Sequence, residues 1–381
     1  MSEAVRALGF AAGLVIVLGT GASVFTTLVV PRSSSSRILR SVSRGLAKGV
    51  RPILRRLTTH EGRDRLLGVV APLGMVLVFV TWLVLLVLGF GLMTWWTSGS
   101  TLSSAFAVSG SSVFTLGVVS NRAGSSETIE FVASGTGLLV IALEIAYLPT
   151  LYSAFSERET EVTLLAARAG VPAWGPEILS RAQRFGTTAE LADLYRTWER
   201  WAAAVSETHT SYPSLVWLRS PTPRRSWLTS LVAMLDAAAL HNAFCPSTSP
   251  IQARLFLQMG TQCLRSLGDA LRITYDEDPL PTDPIRLQYE EFCEGAESLT
   301  STGFPVERSA EEAWRHFAGW RVNYEAIADQ LALLILPAPA PWIAHWDAMG
   351  EVRWAKVVNR TPDDPAGAAS PTRPDLRTEG A

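Results

Sequence analysis

The first 155 positions alternate between long apolar runs and short polar ones, and the alternation is too coarse for strands. Residues 8–30 carry no charge and end at Pro31-Arg32. Residues 66–96 form a longer run with its densest part at 76–88, and residues 131–155 form a third, interrupted by Glu144 and Pro149. About 20 apolar residues cross a bilayer as a helix, so each run is long enough to span. The first also has the position of a signal peptide. Its apolar stretch is long for one, only Arg6 precedes it, and no small-residue cleavage site stands before Pro31. A retained helix is the expectation.

From residue 157 the pattern changes to that of a water-facing helical domain. Apolar positions recur at helical spacing over 158–169, 175–184, 189–207, 226–243, 250–271, 285–297 and 310–335. Thr187–Glu190 and Ser309–Glu312 read as capping boxes at two of these starts. Pro213, Pro221–Pro223, Pro250 and Pro284 mark breaks between them. Strand-like alternation is scarce, and ten tryptophans between 174 and 354 supply bulk for a core. The expected fold class is all-α: a membrane protein with three transmembrane helices, a re-entrant pore helix and loop, and an all-helical cytoplasmic domain. The boundaries are 1–31 for the first span, 32–66 for a basic connector and 67–156 for a helix–loop–helix module. The helical domain covers 157–359, and 360–381 is a Pro/Ala/Thr/Asp/Gly-rich tail of disordered character.

Charge gives these segments a direction. Residues 1–153 hold twelve Arg or Lys against six Asp or Glu, while the remainder holds twenty-one against twenty-nine. Ten of the basic residues lie in 31–66, where only Glu61 and Asp64 oppose them. Short basic loops stay on the cytoplasmic side. The N-terminus is then outside, residues 97–130 face outside, and the C-terminal domain is cytoplasmic in a multi-pass cell-membrane protein. Within the connector, Ile38, Leu39, Val42, Leu46, Val50, Ile53, Leu54 and Leu57 alternate with Arg and Lys. That pattern suits an interfacial helix held by anionic inner-leaflet lipids. Since the membrane surface accounts for the charge, no nucleic-acid partner is expected.

The stretch between the second and third runs carries the candidate chemistry. Residues 97–130 are too rich in Ser and Gly to cross alone, yet 102–119 is apolar enough to dip into a protein-lined cavity. Thr101–Val113 reads as a short helix, followed by Thr115, Leu116, Gly117, Val118, Val119 and Ser120. In this arrangement residues 67–156 resemble the two-helix pore module of the potassium-channel superfamily. The family filter runs Thr-Val-Gly-Tyr-Gly-Asp, where carbonyls and a threonine hydroxyl replace an ion's water. Thr115 and Gly117 match. Val118 stands for the bracing aromatic, Val119 for the second glycine, and Ser120 for the outer carboxylate.

The resemblance implies a homotetramer, since one loop cannot enclose an axis, and a monovalent cation in a pathway formed by 115–120. It also places Gly135 and Gly137 at the opening of the inner helix, with Glu144 and Pro149 as cavity or gate residues. A membrane carboxylate is costly and faces a cavity or a partner, so Glu144 either lines the cavity or packs protonated against the second span. Pro149 bends the helix at a gate or is a passive kink. The departures at 118–120 imply a pore with weak potassium selectivity, a non-selective pore, or a non-conducting membrane-anchored scaffold or sensor with a degenerate module. An ordinary Ser/Gly-rich outer hairpin is the plain alternative.

No enzyme pattern emerges: there is no phosphate loop, no His-Glu-x-x-His and no nucleophile elbow. Strand–helix alternation of a Rossmann-like nucleotide-sensing domain is missing too. Cys245, Cys263 and Cys293 are widely spaced, and His209, His241, His316 and His345 are scattered. No catalytic residue, metal site or cofactor is expected. The acidic run Asp276-Glu277-Asp278 lacks calcium-loop spacing and reads as a solvated loop.

Overall fold

The computed structural model describes residues 3–30, 37–57, 59–120 and 124–343. His345 and the expected 360–381 tail lie outside them. The chain divides into two compact units, residues 1–156 with 208–218, and residues 157–207 with 219–381.

In the first unit, α1 (Glu3–Leu28) and α3 (His60–Ser98) lie against each other over most of α1. They run antiparallel: Phe10 meets Trp96 at 5.0 Å between ring centroids, and Trp82 Nε1–H donates to Ser23 Oγ at 3.0 Å. Glycines permit the approach. A Cβ on Gly13 would stand 2.4 Å from the Gly89 carbonyl oxygen. Small residues that let backbones approach, with polar pairs between helices, are how apolar helices associate in lipid. The connector is α2 (Arg37–Arg56), continuous through Gly45, Gly49 and Pro52. Part of its apolar face, Ile38, Leu39 and Val42, packs onto the core that holds Trp82, Leu86 and Phe90. Its charges thus stand outward while apolar side chains anchor it to its own protein.

After α3 stops at Gly99, whose φ of +63° suits a glycine C-cap, α4 (Leu102–Val113) begins. Thr101 Oγ1 caps it by accepting from the Ser104 amide at 3.3 Å. The third long helix, α5 (Gly124–Ala169), has 46 residues and belongs to the first unit up to Ser156. Three helices, Glu3–Leu28, Glu61–Ser98 and Ser126–Ala169, contain stretches long and apolar enough to cross a membrane.

In the second unit, α8 (Trp227–Phe244) is the central element. Seventeen of its residues are buried, so it has no polar face to display, as expected of a helix enclosed on all sides. Around it pack α6 (Gly175–Arg184), α9 (Ile251–Leu271) and α11 (Ala310–Arg321), with α7 (Leu191–Ser211), α10 (Tyr289–Ser301) and α12 (Glu325–Ile335) completing the fold. Gly175 allows α6 to sit on α8, since a Cβ there would fall 2.7 Å from Asp236 Cβ. Among the described residues there is no strand. The expected single helix over 310–335 is two, broken at Val322–Tyr324. The capping box at Ser309 forms, whereas Thr187 makes no side-chain cap and leads into a short 3-10 turn. One stretch expected in the helical domain, 208–218, belongs to the first unit, where Tyr147 OH lies 3.2 Å from Ser214 Oγ.

Candidate functional site

The candidate site is the segment that α4 delivers. Seven residues, 114–120, follow α4, and every one of them is exposed, Leu116 at 64% and Val118 at 78%. The helix behind them is firmly seated. Ser109 Oγ donates to the Val87 carbonyl at 2.8 Å, and a Cβ on Gly91 would stand 2.2 Å from the Phe106 ring. On its other side, a Cβ on Gly137 would stand 2.0 Å from the Val113 carbonyl oxygen. Two of the three long helices thus contribute a glycine at a point of contact with α4.

The local path of the segment follows from its residues. Gly117 has φ +66° and Thr115 has φ +52°. The first is cheap for glycine and the second is uncommon for a β-branched residue. Leu116 N–H donates to the Ser111 carbonyl at 2.8 Å, Thr115 N–H to Ser112 at 2.9 Å, and Val119 N–H to Ser111 Oγ at 3.1 Å. Within one chain the segment therefore curls back over the end of α4, with its apolar side chains outward.

The other sequence candidates lie on α5. Gly135 is exposed with nothing within 4 Å of an added Cβ. Gly137, Val140 and Glu144 share a buried stripe, and Glu144 Oε1 has no hydrogen-bond partner. Pro149 is exposed within a helix that continues through it. The structure joins Gly137 to the end of α4 and leaves Gly135 apart. On the opposite face of α5, Phe131, Leu138, Ile145 and Tyr152 are all more than 60% exposed at seven-residue spacing. Spacing of that kind draws one line along a helix.

The sequence reading missed a buried charge cluster in the second unit. Arg321 Nη1 donates to Asp236 Oδ1 at 2.6 Å and Nε to Glu325 Oε1 at 2.8 Å, and Tyr324 OH donates to Asp236 Oδ1 at 2.7 Å. Burial pushes the Asp236 carboxyl up to about 6, against the pull of Arg321 and Tyr324. Burial alone would lower the guanidinium, but Asp236 and Glu325 outweigh it and hold Arg321 above its ordinary value. The lone Asp inside the apolar 227–244 helix was the available signal, because a buried charge requires a partner. Arg158 and Glu159 are buried too and pair at 2.8 Å.

His241 Nδ1 lies 3.2 Å from Tyr195 OH. Burial pushes this histidine down to about 4 and the Cys245 and Cys263 thiols up to about 12. These are neutral core groups at physiological pH. The comparisons of this chain with protein-family models, curated proteins and solved structures found no match.

Proposed function

We propose that the first unit is one subunit of a cation-conducting membrane pore, with residues 115–120 forming the passage and four copies enclosing it. The observation that carries this reading is the seating of α4: a short capped helix, held between two long apolar helices, that presents seven exposed residues at its end. The line of exposed Phe131, Leu138, Ile145 and Tyr152 on α5 is apolar area that either lipid or a second copy would cover. Passage would be monovalent, through potassium selectivity or none, because Val118 and Val119 stand where an aromatic and a glycine complete the family filter. In this reading the N-terminus is outside, α2 lies on anionic headgroups through its Arg and Lys residues, and the helical unit is cytoplasmic.

A specific observation favours a second reading, a non-conducting membrane-anchored scaffold or sensor. The Val119–Ser111 and Leu116–Ser111 hydrogen bonds fold the segment onto its own helix, so its carbonyls do not form a straight extended row. Purified protein in liposomes separates the two. The pore reading expects a K⁺ or Na⁺ flux that Gly117→Ala reduces and a four-copy mass in mild detergent. Monomers with no flux at any voltage favour the scaffold.

A further inference from the structure

A groove of about 620 Å³ opens in the second unit between α7, α9 and the turn after α11. That volume lies within the range of small-molecule sites. Its walls carry two opposite charges, Glu199 from α7 and Arg265 from α9, and Leu255, Met259, Trp320 and Asn323 line it with them. The charge of Arg265 acts through space on the Tyr275 hydroxyl, but neither charge is held by a hydrogen bond among the described residues. Arg265 Nε is buried without a hydrogen-bond partner, and neither Arg265 nor Glu199 makes an ion pair among the described residues. Asp269, the carboxylate on α9, accepts from Tyr275 OH at 2.9 Å and forms no ion pair with Arg265 among the described residues. A buried donor left unmade costs about 1–3 kcal/mol. Asn323 bonds its amide nitrogen to the Gly319 and Trp320 carbonyls, at 3.1 and 3.2 Å, which leaves its oxygen as an acceptor.

We propose that this groove binds a small zwitterion of the α-amino-acid class, its carboxylate on Arg265, its ammonium on Glu199 and the Asn323 oxygen, and its apolar side chain along Trp320 and Leu255. A simple anion would meet the Glu199 charge unpaired, and a simple cation would meet Arg265. A dipolar ligand satisfies both. The apolar wall selects an aliphatic or aromatic side chain over a charged one. The site is separate from the pore segment and stands whether or not that segment conducts.

Calorimetric titration of the full-length protein in detergent tests this with L-phenylalanine as the probe, and with 3-phenylpropionate and phenethylamine as its single-charge counterparts. Saturable binding of phenylalanine is expected, with each counterpart at least about tenfold weaker, since a charged hydrogen bond contributes about 1.5–3 kcal/mol. Arg265→Gln should abolish phenylalanine binding, and Glu199→Gln should reduce it to the level of 3-phenylpropionate. Arg265 bonds nothing in the fold, so melting of that variant should match wild type and exclude unfolding as the cause. No saturable heat at millimolar phenylalanine, equal binding of 3-phenylpropionate, or undiminished binding in Arg265→Gln would each overturn the proposal.

Discussion

Gly137 on α5 meets the carbonyl of Val113, the last residue of α4, at a separation no side chain could share: a Cβ there would stand 2.0 Å from the oxygen. Helix α5 thus acts as the seat for the end of α4, and it sets where residues 114–120 begin.

The first prediction concerns that seat. Gly137→Val forces α4 away from α5 and should lower thermal stability in detergent by about 1–3 kcal/mol, as overpacking does. Gly135→Val, two residues away with open space around it, should melt within a few tenths of a kcal/mol of wild type. Equal melting of the two variants would contradict the seating.

The second concerns α1. Trp82→Phe removes the indole donor to Ser23 and should cost about 0.6–2 kcal/mol, the range for hydrogen bonds between membrane helices. Gly13→Leu collides with Gly89, Leu92 and Met93 and should separate the helices outright. Cysteine pairs placed at positions 10 and 96 should cross-link in the Trp82→Phe protein and fail to in Gly13→Leu.

The buried charges give the third. Arg321→Met leaves Asp236 and Glu325 inside the second unit without their cation, and should destabilise it by about 3–5 kcal/mol. The pair change Arg321→Met with Asp236→Leu removes both charges and should recover part of that loss in a thermal melt. No recovery would mean that Asp236 is not what Arg321 neutralises.

A fourth prediction follows from His241. Its folded pKa is near 4 against an ordinary 6.5, lowered chiefly by burial. The unfolded chain therefore takes up a proton that the folded one refuses. The contribution of His241 is full above about pH 6.5, falls as pH drops towards 4, and is about 3 kcal/mol in all, while Asp236, raised to about 6, is protonated in the folded state over the same window and acts in the opposite direction. His241→Gln should raise the melting temperature at pH 4–5 relative to wild type beyond any difference at pH 7, and an unchanged slope would assign the effect elsewhere.

Much of the fold was legible because membrane helices and soluble helices have different compositions. The three long helices stand out by uncharged length, and α4 by Thr101 and the apolar residues behind it. What escaped were features set by distant partners. The break at Val322–Tyr324 has no Gly or Pro to mark it; there Tyr324 reaches Asp236 and the Asn323 amide bonds back to α11. Helix α10 starts at Tyr289 rather than 285 because Gln288 and Glu291 form the capping box. Glu199 and Arg265 lie within the amphipathic runs 189–207 and 250–271, and only the packing of α7 beside α9 puts them in one groove. At 115–120 the residue types were legible, while the hydrogen bonds that curl them onto Ser111 were not.

Under the proposed function, residues 115–120 line a passage for cations. Leu116→Cys puts a thiol at an exposed position in that segment, whereas Cys245 and Cys263 are buried in the second unit and Cys293 is half-buried there. Cation flux into liposomes should be recorded before and after a charged, membrane-impermeant thiol reagent is added to the external side. Flux is expected in both proteins, with block by the reagent in Leu116→Cys and none in wild type. Absence of flux, or flux in Leu116→Cys that the reagent leaves untouched on both faces of the membrane, would contradict it.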